Sequence, residues 1–263
     1  MYKLILVLLL SSLALHALKV KAKEKDQVVN AKVFLLSPMT EARYDSKTNK
    51  ILPPDYVTHI KAKVGNNVVF NAFTSPFFSL NPRIKFKFQG SVKGENIEVV
   101  SKSNQNIIKN NISKIRHRNK EKKYSSVEKD SLTNISEKVW QAQTVTKAIQ
   151  NLYGSVEFSE GNITLAIPNR IMLNNFPVLI KSSLDLESIA LLKTGDSKVT
   201  IAVFEVTKNG IVDYTFSLEK TNYNSRKTII MTVVAKGKDG RFYITEKPII
   251  FMPCSADCDG NGG

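Results

Sequence analysis

An all-β fold of two immunoglobulin-like antiparallel β-sandwich domains, with a short helix leading the second, is what this chain predicts. Three observations carry the prediction. Apolar and polar residues alternate with period two through most of 31–100 and again through 163–251, the pattern of half-buried strands. Turn-forming pairs separate the runs, among them Asn209-Gly210 and Asp239-Gly240, which favour tight reversals between strands. Only Val139 to Tyr153 carries apolar residues at helical spacing.

The elements follow in order. Met1-Tyr2-Lys3 precedes an apolar run from Leu4 to Leu15 broken only by Ser11 and Ser12. That run is too short for a stable span and reads as a signal peptide over residues 1–22, with Ala17 or Ala22 as the last residue removed. The mature protein is thereby expected to be periplasmic and to make no stable membrane insertion. A first sandwich is expected over 27–112. In it Tyr56, Thr58, Ile60, Ala62 and Val64 share one face, Gly65-Asn66-Asn67 turns the chain, and Val68, Phe70 and Ala72 resume the apolar side. Ile84, Phe86 and Phe88 then alternate with Lys85, Lys87 and Gln89, and Ile97 and Val99 close the series.

Residues 113–138 read as a basic linker, because Lys114 to Lys123 sets six Lys or Arg against one acid. Like charges at that density repel one another and oppose a packed core. Residues 139–251 form the second unit, a helix followed by a sandwich. Val139, Ala142, Val145, Ala148, Ile149 and Leu152 lie on one side of that helix, with Gly154 as its C-cap and Trp140 covering the sandwich. Asn209-Gly210 and Asp239-Gly240 are each expected to close a hairpin.

Composition excludes several classes of function. A net charge of +15 comes with ordinary aromatic content and no nucleic-acid motif, and the lysines are spread along strand faces more than clustered. The charge therefore speaks for solubility, acidic protein partners or anions, and no nucleic-acid partner is implied. Beyond the leader the only histidines are His59 and His117, too few for a His-ligated metal centre or a nucleophilic triad. No phosphate loop, dinucleotide fingerprint or zinc motif is present, so no cofactor, no metal and no catalytic residue is expected.

The remaining segment, 252–263, holds both cysteines: Met-Pro-Cys254-Ser-Ala-Asp257-Cys258-Asp259-Gly260-Asn-Gly262-Gly263. A thiol near a Gly-rich terminus is expected to stay out of any core, because glycine adds backbone freedom no other residue has. Two readings of the pair stay open on the residues alone: a small terminal disulfide, or an exposed thiol that carries a group on sulfur.

The chain also resembles a known family. Ala31 to Met39, with Glu41, Arg43, Ile51-Leu52-Pro53 and Asp55-Tyr56-Val57, is similar to the opening of the Z subunit of the SoxYZ sulfur-oxidation carrier. Ser79 to Phe88 and Gly94-Glu95-Asn96-Ile97 fit it as well, although Ser37 stands where the family usually has His. The second half resembles the Y subunit in Val145 to Ile149, Leu152-Tyr153-Gly154, Ile163-Thr164-Leu165, Pro168, Phe176-Pro177-Val178, Tyr243 and the strand leading to a C-terminal cysteine. The chain thus resembles a single-chain fusion in the order Z then Y.

The resemblance implies a carrier that performs no turnover of its own and acts as a substrate of other enzymes. Thiosulfate-derived intermediates would be held covalently on Cys258, with Cys254 as second choice, and Gly260, Gly262 and Gly263 would give the arm its freedom. The family's arm usually ends Gly-Gly-Cys-Gly-Gly, and here acids flank Cys258 instead. Expected partners are the pathway enzymes SoxAX, SoxB and SoxCD, together with the intramolecular Z–Y pairing. Two alternatives keep the fold: a non-carrier scaffold with a terminal disulfide, and a carrier associated with quinoprotein dehydrogenases.

Overall fold

The computed structural model describes residues 18–45, 48–90, 95–117, 135–220 and 225–253. The first strand, β1 (Leu18–Lys25), alternates strictly, with Leu18, Val20, Ala22 and Glu24 buried and four lysines outward. It forms a hairpin with β2 (Val28–Leu35). A short ribbon of β3 (Arg43–Asp45) and β4 (Lys50–Leu52) follows. The chain then runs through β5 (Val57–Val64), β6 (Asn67–Thr74), β7 (Arg83–Gln89), β8 (Asn96–Ser103) and β9 (Ile108–His117). Pairing joins β5 to β6 and β8, β8 to β9, and β2 to β7, so the first half is a two-layered sandwich. β9 also pairs in parallel with β1, joining the two layers at one end.

In the second half two helices, α1 (Glu137–Trp140) and α2 (Val145–Tyr153), precede nine strands. These are β10 (Phe158–Ser159), β11 (Ile163–Ala166), β12 (Arg170–Ile171), β13 (Asn175–Ser182), β14 (Leu186–Lys193), β15 (Thr200–Glu205), β16 (Gly210–Glu219), β17 (Lys227–Gly237) and β18 (Phe242–Phe251). The expected all-β architecture is therefore found. The sheets of the two halves are continuous, however. β15 pairs with β6 in one layer, and β16 pairs with β7 in the other. Each layer crosses the joint without a break in the hydrogen-bonded order.

An aromatic chain fills the space between the layers at this joint. Phe86 stacks on Phe70 at 4.3 Å, Tyr214 meets Phe70 edge-on at 5.6 Å, and Phe204 stacks on Tyr214 at 5.1 Å. Phe216 continues the chain to Phe78 at 5.0 Å. Removing Phe204, 1% exposed, would cost about 3–5 kcal/mol.

Several local expectations change. Asp239-Gly240 does close the β17–β18 hairpin, with Gly240 at φ +81°. Asn209-Gly210 does not pair its flanking strands, because β15 joins β14 and β6 while β16 joins β13 and β7. It is an arch between layers, and its tip is tied to the first half by Gln89 N–H donating to Asn209 O at 2.8 Å. The single helix expected over 139–153 is split. Thr144 caps α2 by accepting from Lys147 N–H at 3.2 Å, while the carbonyl of Ala142 takes the N–H of Val199. Both Val139 and Ala142 become buried as a result, and Gly154 caps α2 as expected.

In β5 a bulge between Val57 and His59 shifts the register. It puts Val57, not Tyr56 and Thr58, in line with Ile60, Ala62 and Val64 as the buried set. β9 extends to His117, five residues into the segment read as linker, with Ile115 as its one residue in the core. The rest of that segment up to Asn134 lies outside the described residues. β1 likewise begins inside the segment read as leader. Of the two candidate cleavage positions, only Ala17 leaves β1 whole.

Candidate functional site: the root of the cysteine tail and a cleft at the joint

β18 ends the described fold. Its outer edge pairs in parallel with β10 at Phe158–Ser159 and with β12 at Arg170–Ile171, and Pro248 falls in the stretch between them. A proline there removes no hydrogen bond from the outer edge. At the end of the strand Phe251, 2% exposed, meets Phe176 at 5.8 Å. The N–H of Met252 donates to Ile171 O at 3.0 Å, and the ammonium of Lys220 donates to Met252 O at 3.0 Å. Lys220 is only 4% exposed, so this charged hydrogen bond is well shielded from water. The chain is thus held as far as Met252, and Pro253 is exposed. Cys254, Cys258, Gly260, Gly262 and Gly263 lie outside the described residues.

Register carries the end of β18 to the same end of its layer as Lys193, Thr200 and Thr74. A cleft of about 410 Å³ opens there between the two halves, walled by Tyr56, His59, Phe73, Phe77, Lys102 and Trp140. Trp140 does cover the second sandwich, packed on a cluster with Ala190, Val203 and Val234, and it also forms a wall of this cleft.

His59 lies flat on Phe73, ring centroids 4.6 Å apart and planes 7° from parallel. Its Nε2 is 2.6 Å from Asn71 Oδ1, and Asn71 Nδ2 donates to Glu205 Oε2 at 2.6 Å. That bond orients the amide, so its oxygen accepts and Nε2 carries the proton. Burial lowers the pKa of His59, assisted by Lys61 and Lys102 and opposed by Asn71 and Glu205. Deeper in, Lys193 is 4% exposed, ion-paired with Asp196, and lies 3.5 Å over the Phe77 ring. Burial lowers its pKa although Asp196 pulls the other way. The hydroxyls of Thr58, Thr74, Ser75 and Thr200 all donate to backbone carbonyls. They hold strand ends and loops in place and keep only lone pairs for a guest.

Among the described residues no three His, Cys, Asp or Glu side chains gather as a metal-ligand set. Among the described residues no serine or threonine is placed on His59 as a nucleophile would be. Ser37 is buried at 2% exposure, with its backbone bonded to Asn81 and no partner for its hydroxyl among the described residues. Lys220 and the His59–Asn71–Glu205 line were missed in the sequence. Their partners are 32 and 134 residues away, and no short-range pattern reports such contacts.

Comparison with solved structures finds low likenesses. Murine CRIg aligns at 12% identity over 36% of this chain and 100% of its own, with a TM-score of 0.25. Dimeric latent PorU from Porphyromonas gingivalis aligns at 7% identity over 90% of this chain and 20% of its own, with a TM-score of 0.31. A β-glucuronidase from Parabacteroides merdae aligns at 5% identity over 88% and 25%, with a TM-score of 0.24. Scores this low carry no argument. No curated protein matches the chain. The informative match is to a family: residues 18–111, from the first residue of β1 into β9, fit the model for sulphur oxidation protein SoxZ.

Proposed function

We propose that this chain is a periplasmic sulfur carrier, a SoxZ-like and a SoxY-like unit fused in one polypeptide. A thiosulfate-derived intermediate would be held on Cys258. The family match over 18–111 supports a role in sulfur oxidation for the first half. The observation that carries the fuller reading is the joint. The SoxZ-like sandwich is completed in both layers by a second sandwich, which then delivers the chain to a cysteine-bearing tail from a root pinned by Lys220.

The chemistry asked of the protein is limited. The Cys258 thiolate joins the outer sulfur of thiosulfate to give a cysteine S-thiosulfonate. Two electrons leave in that step, taken by a partner enzyme of the SoxAX type. SoxB-type hydrolysis and SoxCD-type oxidation would then act on the adduct. A group that stays bonded to its carrier reaches each docked partner as an intramolecular reactant. Asp257 and Asp259 flank the thiol and disfavour its thiolate by like charge. Activation therefore falls to the partner's site.

Deleting residues 254–263 tests the reading. The truncated protein should keep the melting temperature of the full chain and take up no label from thiosulfate in the presence of the oxidising enzyme. Uptake at the full-length level would exclude the tail as the site of attachment.

A further inference from the structure

The lysines that look dispersed along the sequence are gathered by strand register. In the layer built from β1, β2 and β7, Lys21 stands opposite Lys32, and Lys32 opposite Lys85. The neighbouring rows are Lys19–Phe34–Arg83 and Lys23–Asn30–Lys87. Arg116 extends the second of these from β9, in register with Lys23. All these side chains point away from the core, because their neighbours Val20, Ala22, Ala31, Val33, Ile84 and Phe86 fill it.

Strands lie about 4.8 Å apart and same-face neighbours about 6.7 Å apart along a strand. The cations therefore form a planar grid of that spacing. Among the described residues acids occur only at its margins: Asp26 lies 3.8 Å from Lys25, and Asp213 is 2.6 Å from Lys87. Lys19, Lys21, Lys23, Lys32 and Lys85 have no ion-pair partner among the described residues.

Like charges directly opposite one another destabilise a sheet. Folding alone would favour alternating signs at these positions, so the row Lys21–Lys32–Lys85 works against the fold that contains it. We propose that this face is the docking surface for an acidic protein partner, one that presents carboxylates on a helix or a strand pair. Carboxylates at i and i+4 of a helix stand about 6 Å apart, which suits the grid. A bilayer surface is the weaker fit. Within β1, β2 and β7 the one large apolar side chain on the face, Phe34, lies beneath Arg83 at 5.5 Å, so none of these three strands projects one to enter lipid.

The test uses the full chain and three probes: a 20-residue helical peptide with glutamates along one face, its glutamine counterpart, and vesicles containing phosphatidylglycerol. At low salt the wild type should bind the glutamate peptide and not the glutamine one. Combined Lys21→Glu, Lys32→Glu and Lys85→Glu should weaken that binding at least tenfold. Combined Lys50→Glu, Lys138→Glu and Lys147→Glu, with the same change in net charge, should weaken it less than twofold. Equal weakening by the two sets would reduce the effect to net charge and overturn the proposal, as would vesicle binding without peptide binding. Lys32→Glu alone should raise the melting temperature at low salt, since it turns two repulsions into attractions. A fall would contradict the row itself.

Discussion

His59 shows how a single residue takes its properties from distant parts of the chain. Its ring rests on Phe73, and its proton is directed to Nε2 by an amide that answers to Glu205 in the other half. Burial lowers its pKa from the ordinary 6.5, so the unfolded chain takes up the proton first as the pH falls. Stability that is fully present above about pH 6.5 is lost as the pH drops through the lowered folded value. His59→Gln should therefore narrow the difference in melting temperature between pH 7.5 and pH 5. An unchanged difference would place the acid sensitivity elsewhere. The sequence marked His59 as one of two histidines beyond the leader, but neither its stacking nor its amide partner has a local signature. The same holds for Lys220 at the root of the tail.

Strand positions were legible wherever one face of a strand meets water, because burial then imposes a period of two. β1, β7 and β13 show this plainly. β14, β15 and β17 are buried on both faces over much of their length and read as apolar runs. Turn chemistry located Gly65, Asn209-Gly210 and Asp239-Gly240, yet it could not say which strands each turn joins. The Asn-Gly arch crosses between layers because β15 and β16 each find a partner in the first half. β1 has a consequence for processing. Leu18, Val20 and Ala22 are core residues, and a cut after Ala22 would remove all three. Under the proposed export, the processed protein should begin at Leu18, as read by N-terminal sequencing. A first residue of Lys23 would show that the fold forms without the first five of the eight residues of β1.

At the scale of the molecule, the all-β sandwich architecture expected from the sequence was found. A pairing of the two halves was implied by the resemblance, but that it runs strand to strand through both layers was not legible. Alternation reports which face of a strand is buried but not which edge is paired. The pairs β6–β15 and β7–β16, with the aromatic chain from Phe86 to Phe78 between them, make the halves one continuous structure. Cleavage within residues 118–134 should leave two fragments that co-elute on size exclusion at micromolar concentration. Separate elution would contradict so extensive a joint. The carrier reading rests on what happens beyond it, at the tail. Its most direct test is intact mass spectrometry of the wild type, Cys258→Ser and Cys254→Ser proteins from cells supplied with thiosulfate. The account predicts a reductant-labile, thiosulfate-derived mass on the wild type and on Cys254→Ser, and none on Cys258→Ser. The same mass retained on Cys258→Ser would contradict it.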